Sequence, residues 1–226
     1  MRFLKDLLGI FYPNLCLNCE NLLFSNEIIL CSNCKNELPI VNEKDTFIPE
    51  SFLNFDLENF EAFLYYRKDN ITQKLIHQLK YKEREDIGVF LGEWFNHEIK
   101  KRNLFSEIDY IIPVPLHKKK LKIRGYNQVD TFARCISKGL KTNFSDKNLI
   151  RISNTKTQTK KSRFERYNES SSKFSLVDTS FYEYKHVLLV DDVITTGATI
   201  ESCVKALLKT KNIKISVLTM AYTLKV

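Results

Sequence analysis

Residues 187–199 read VLLVDDVITTGAT, and the order of chemical types along them decides the fold. Val187, Leu188, Leu189 and Val190 form the short apolar run of a strand buried on both faces. Two carboxylates, Asp191 and Asp192, close the run, and Thr195, Thr196, Gly197, Ala198 and Thr199 follow as a loop of small and hydroxylated residues. Gly and Ala let backbone N–H groups approach an anion, the threonines add hydroxyls, and the helix expected from about Thr199 adds its positive end. Together they form a cradle sized for one phosphate. The acids just before it are placed to accept hydrogen bonds from sugar hydroxyls or to hold Mg²⁺ through water. No Gly-Lys-Ser/Thr follows, so this is not a P-loop. The plainer alternative is an ordinary strand-loop-helix turn that happens to be acidic.

Outward from this stretch, strands and helices alternate. Residues 61–67 (EAFLYYR) suit a strand. Ile71, Leu75, Ile76 and Leu79 recur at helical spacing within 70–81. A second helix is expected over 87–99, with Trp94 in the core, and a buried strand over 108–114, closed by Pro113 and Pro115. The stripe Val129, Phe132, Ala133, Ile136 and Leu140 predicts a helix over 128–141. A helix over 199–211 and a strand over 213–221 complete the pattern. Such alternation predicts an α/β fold, a mostly parallel sheet flanked by helices. Ligands of such sheets bind beyond the carboxyl ends of the strands.

Four of the six cysteines lie in the first 45 residues, as Cys16-x-x-Cys19 and Cys31-x-x-Cys34. Two such knuckles are what a tetrahedral structural Zn²⁺ site needs, and a segment this small would draw its folding energy from the metal. Buried or redox thiols are the alternative. Cys135 and Cys203 fall inside expected helices and read as core thiols. The polar stretch 42–54, with Pro49, marks a boundary between a four-cysteine domain over 1–45 and a larger domain over 55–226. His77, His97, His117 and His186 show no metal or catalytic spacing.

With 226 residues, 43% hydrophobic and 27% charged, the chain can bury a sizeable core. No stretch approaches a membrane span, and the start, broken by Lys5, Asp6 and Pro13, reads poorly as a signal peptide. The expectation is a soluble cytoplasmic protein without membrane insertion. The net charge is +8, and its excess is local: residues 116–173 hold 16 Lys+Arg against 4 Asp+Glu. Either a polyanionic partner or a solvated basic surface accounts for this.

Within that region Val114 and Pro115 end a strand. A loop with Lys118, Lys119, Lys120, Lys122 and Arg124 is expected next, followed by Gly125, Tyr126, Asn127 and Gln128. A forked cation, a ring and two amides suit a phosphate and a stacked base, or else a helix start capped by Asn127. Residues 154–168 (NTKTQTKKSRFERYN), with Lys160, Lys161, Arg163 and Arg166, read as a mobile basic loop running into a short helix. That loop is either a lid, a contact for single-stranded nucleic acid, or plain surface.

Residues 187–199 closely resemble the phosphoribosyl-pyrophosphate (PRPP) motif of type I phosphoribosyltransferases. The resemblance implies that Asp191 and Asp192 hold ribose hydroxyls, that the loop 195–199 holds the 5′-phosphate, and that the loop at Val114 and Pro115 faces pyrophosphate carried with Mg²⁺. Val193, Ile194 and Thr195 supply no carboxylate where hypoxanthine-guanine enzymes carry one, which argues against such a purine as acceptor. Taken with the four cysteines, 75–88 (LIHQLKYKEREDIG), 113–128 (PVPLHKKKLKIRGYNQ) and 155–168, nearly the whole chain resembles the ComF family of competence proteins, with Tyr126 where Phe is usual. That resemblance implies a type I phosphoribosyltransferase-like sheet with a small zinc-ribbon-like domain. It also implies a role in natural transformation, handling incoming single-stranded DNA beside the DNA-uptake machinery. A metabolic phosphoribosyltransferase using Mg-PRPP with an unknown acceptor is the alternative.

Overall fold

The structure, a computed structural model, describes residues 13–42, 52–152 and 173–223. In chain order its elements are α1 (Ser32–Asn36), β1 (Asn59–Tyr66), α2 (Ile71–Tyr81), α3 (Asp86–Arg102), β2 (Tyr110–Pro113), α4 (Lys118–Arg124) and α5 (Asp130–Leu140). They continue with β3 (Asn143–Phe144), β4 (Leu149–Arg151), β5 (Phe174–Leu176), β6 (His186–Ile194), α6 (Ala198–Leu207) and β7 (Lys214–Thr223). Five strands form one sheet in the order β1-β7-β6-β2-β3, each neighbouring pair parallel. β4 and β5 pair antiparallel apart from it.

β6 sits at the centre of the sheet, which is why its apolar run is unbroken. Its side chains alternate between two cores. Leu188 and Val190 join the cluster of Leu75, Leu79, Leu91, Phe95, Phe132 and Ile136 from α2, α3 and α5. Val187 and Leu189 join Ile200, Cys203, Val204 and Leu207 from α6, with Phe174 and Tyr182. The strand expected over the apolar run continues through the acids to Ile194, because Val193 and Ile194 still pair with Ala221 and Tyr222 of β7.

The amphipathic stripe of α2 buries Ile71, Leu75, Ile76 and Leu79, and Asn70 caps it by accepting a hydrogen bond from Gln73 N–H at 2.9 Å. The cysteine segment packs onto the same side: Cys16, Ile29, Leu30, Cys34 and Leu38 belong to the cluster that holds Leu75 and Phe63. Residues 39–41 run antiparallel beside β1, with Val41 N–H donating to Phe63 O at 3.0 Å and Tyr65 N–H to Pro39 O at 2.8 Å. Trp94, expected in the core, stands at its edge, half-buried beside Phe63 with Lys35 Nζ 4.7 Å from its ring centre. Cys203 is a buried core thiol, whereas Cys135 is only half-buried between helices.

α3 and α5 approach so closely that glycine is required between them. A Cβ at Gly92 would lie 2.6 Å from Cys135 Cβ and 3.2 Å from Phe132 O. Gly92→Ala is therefore expected to cost about 1–3 kcal/mol through overpacking, although Ala is the better helix former. Urea unfolding measures this; a gain in stability would show that the helices stand further apart.

Candidate functional site

The carboxyl ends of β6 and β2 meet the amino ends of α6 and α5, and the acid pair lies there. Alternation along β6 sends Asp192 toward α2 and α5, and Asp191 toward α6. Both are buried. Lys80, at the end of α2, places its Nζ 2.9 Å from Asp192 Oδ1. Gln128 Nε2 donates to Asp192 Oδ2, and the Gln128 carbonyl accepts from Arg124. Both Asp192 oxygens are thus engaged by side chains remote in sequence. Asp191 Oδ1 accepts from Asp192 N–H at 2.8 Å. Burial, with the neighbouring Asp192 charge, pushes the Asp191 carboxyl up to about 7.

The loop after β6 turns through Gly197, whose φ of 78° is left-handed and favours glycine. Thr195, Thr196, Ala198 and Thr199 are exposed around it, and Ala198 N–H lies 3.5 Å from Thr196 Oγ1. α6 starts at Ala198, one residue earlier than expected, with no side chain capping it. Its first-turn N–H groups, which lack acceptors inside the helix, therefore point out beside the hydroxyls.

On the other side of the strand ends, Val114 is buried after β2. Its N–H donates to Val190 O at 2.8 Å and its carbonyl accepts from Asn127 Nδ2 at 3.1 Å. Asn127 therefore ties two loops together, and its Oδ1 reaches Val129 N–H only at 3.5 Å, at the limit of a cap. The basic run expected as a loop is instead the helix α4. His117 Nδ1 accepts from Lys119 N–H at 3.1 Å at its start, and Gly125, with φ 81°, ends it. Lys118, Lys119, Lys120 and Lys122 are exposed on it, and Arg124 is half-buried. Tyr126 donates its hydroxyl to Leu79 O at the end of α2. Lys160, Lys161, Arg163 and Arg166, with the expected loop over 154–168, lie outside the described residues.

One residue with no assigned role in the sequence reading joins this site: Lys80, through its ion pair with Asp192. Lys80 carried one signal, a cation beside the apolar stripe of an amphipathic helix, where burial requires a counter-charge. The hollow between α2 and α4, of about 310 Å³, is lined by Lys80, Tyr81, Lys120, Ile123, Arg124 and Tyr126, with Glu83.

The four expected cysteine ligands come together. All four Sγ atoms lie within 4.8 Å of one another, with Cys19 and Cys31 3.7 Å apart. A tetrahedral ion with sulfur at about 2.3 Å sets its ligands roughly 3.8 Å apart, so the cluster fits one metal ion. Cys31 N–H donates to Cys16 Sγ and Asn18 Nδ2 to Cys34 Sγ, both at 3.3 Å, as thiolates held for a cation require. Lys74 of α2 bonds Asn18 through its carbonyl at 3.0 Å and its Oδ1 at 2.9 Å, linking the cluster to the helix that delivers Lys80.

Parts of the chain are similar to known proteins. The phosphoribosyl transferase domain model matches residues 131–223. Competence protein F of Haemophilus influenzae is 39% identical over 100 residues, 44% of each chain. Competence protein ComFC of Bacillus subtilis is 35% identical over 146 residues, 64% of this chain and 56% of that protein. Over the residues that match, the chain is similar to ComF-type competence proteins and to phosphoribosyltransferases. DNA utilization protein YhgH of Escherichia coli strain K12 is 30% identical over 138 residues, 60% of each chain. The chain thus spans between 44% and 60% of the length of these ComF-type relatives. Among the described residues no helix is long and apolar enough to cross a membrane.

Proposed function

We propose that the protein is a ComF-type competence factor that handles incoming single-stranded DNA in the cytoplasm and holds PRPP or a related phosphosugar at the end of β6. The observation that carries this reading is the buried acid pair near the carboxyl end of β6, followed five residues on by a left-handed glycine and a helix start. Acids for sugar hydroxyls and donors for a 5′-phosphate stand in the order such a ligand presents them. In this reading Asp191, Asp192 and residues 195–199 take the ribose 5-phosphate part. The segment after β2, with Val114 and Pro115, faces pyrophosphate and its Mg²⁺. Structural Zn²⁺ sits on Cys16, Cys19, Cys31 and Cys34, in a small domain over residues 1–45 ahead of the larger one over 55–226. The exposed lysines of α4, with Lys160, Lys161, Arg163 and Arg166, supply the field that draws in a nucleic acid backbone.

A metabolic phosphoribosyltransferase acting on an unknown acceptor is the second reading, favoured by the intact acid pair alone. Calorimetric titration with PRPP, with and without Mg²⁺, tests the phosphosugar site. Asp191→Asn/Asp192→Asn is expected to weaken binding roughly tenfold or more while the fold persists, because charged hydrogen bonds are lost at a strand end. Absence of binding by the parent protein overturns the assignment, and unfolding of the variant makes the acids structural. Turnover of PRPP that depends on one added small molecule decides for the second reading.

A further inference from the structure

The outer face of α2 is an unexplained surface. Its inner stripe is buried, while Lys74, His77 and Tyr81 recur along the opposite side at i, i+3 and i+7 and are exposed, Tyr81 at 64%. A helix face that carries rings and cations rather than small polar residues is not explained by solubility. Tyr81 has the His77 ring centre at 4.9 Å and the Arg124 guanidinium at 5.4 Å from its own ring, so three planar groups stand close together. Two hollows border this face. One, of about 500 Å³, lies between α2 and the cysteine segment and reaches Tyr66, Lys74 and His77. The other is the hollow of about 310 Å³ between α2 and α4. They meet at Lys80 and Tyr81, which line both. The result is one groove from the cysteine segment to the basic helix, running past the Lys80–Asp192 ion pair.

We propose that this groove binds a short stretch of single-stranded nucleic acid, with bases stacked on Tyr81 and His77 and phosphates on Lys74, Lys120 and Arg124. The proposal rests on the strand-handling reading above and assigns it a place: the cysteine segment forms one wall of the strand's path. Exposed rings alternating with cations suit unpaired bases, whose π-faces are open, and offer nothing to a duplex whose bases are stacked inside. Glu20 and Glu83 also line the groove, and the four cations Lys74, Lys80, Lys120 and Arg124 outnumber them. Lys80 is shared with Asp192, so the groove passes directly beside the phosphosugar site.

Fluorescence anisotropy with a labelled oligodeoxythymidine strand tests this. Tyr81→Ala/His77→Ala, at exposed positions where folding is not at stake, is expected to bind the strand about tenfold more weakly or worse, as loss of a stacking platform does. Tyr81→Phe, which keeps the ring, is expected to bind like the parent. The alanine variant is expected to keep the circular dichroism and the thermal midpoint of the parent. If the parent protein binds no strand, both the strand-handling reading and the groove fall. If the parent binds and the alanine variant binds equally well, only the groove is overturned, and the strand lies elsewhere on the basic surface.

Discussion

Cys34→Ser, or removal of the metal from the intact protein by a chelator, is expected to lower the thermal midpoint by roughly 10 °C or more. Structural metal of this kind is worth well over 4 kcal/mol to the segment it folds, and about 1 kcal/mol shifts the midpoint of a chain this long by roughly 2–4 °C. The loss would spread beyond the cysteines. Cys16 and Cys34 are buried in the same cluster as Leu75 and Phe63, so releasing them exposes the apolar side of α2. The Lys74–Asn18 bonds would go with them, and α2 would hold Lys80 and the Leu79 carbonyl less firmly against Asp192 and Tyr126. Metal content by atomic emission and unfolding by circular dichroism read this directly. A parent protein with one bound zinc and a variant with none, unfolding earlier, is the expected pair of results. No bound metal in the parent, with an unchanged midpoint in Cys34→Ser, would make the cysteines ordinary thiols.

What the sequence made legible was local. The acid pair, the glycine turn and the start of α6 are contiguous, so their chemistry reads directly from residues 187–199. The cysteine knuckles read from their spacing for the same reason. The partners of Asp192 did not read out, because Lys80 lies 112 positions away and Gln128 lies 64 away, and only the sheet topology brings them together. α4 was misread because a lysine-rich run without an apolar stripe resembles a solvated loop. Its signals were the two ends, a capping His117 and a terminating Gly125, rather than its interior. β3, β4 and β5, of two or three residues each, are too short to show a period of two. The close approach of α3 to α5 was also hidden, since Gly92 within a helix reads only as a weak position until Cys135 is placed opposite it.

Arg102→Met is expected to destabilise the protein by about 3–5 kcal/mol, and the cause lies in what it leaves behind. Glu61 belongs to β1 and Arg102 to the end of α3, and one guanidinium nitrogen lies 3.0 Å from each carboxylate oxygen. The two side chains are only 7% and 9% exposed. Removing the cation takes from a carboxylate that is only 7% exposed the guanidinium that engages both of its oxygens. Glu61→Gln/Arg102→Met removes the charge as well and is expected to recover most of the loss, since a buried ion pair contributes little beyond its neutral replacement. Guanidinium chloride unfolding of the parent, the single variant and the double variant separates the loss of the pair from the charge left behind. A single variant as stable as the parent would mean that water reaches Glu61, and with it that the edge of the sheet between β1 and α3 is open.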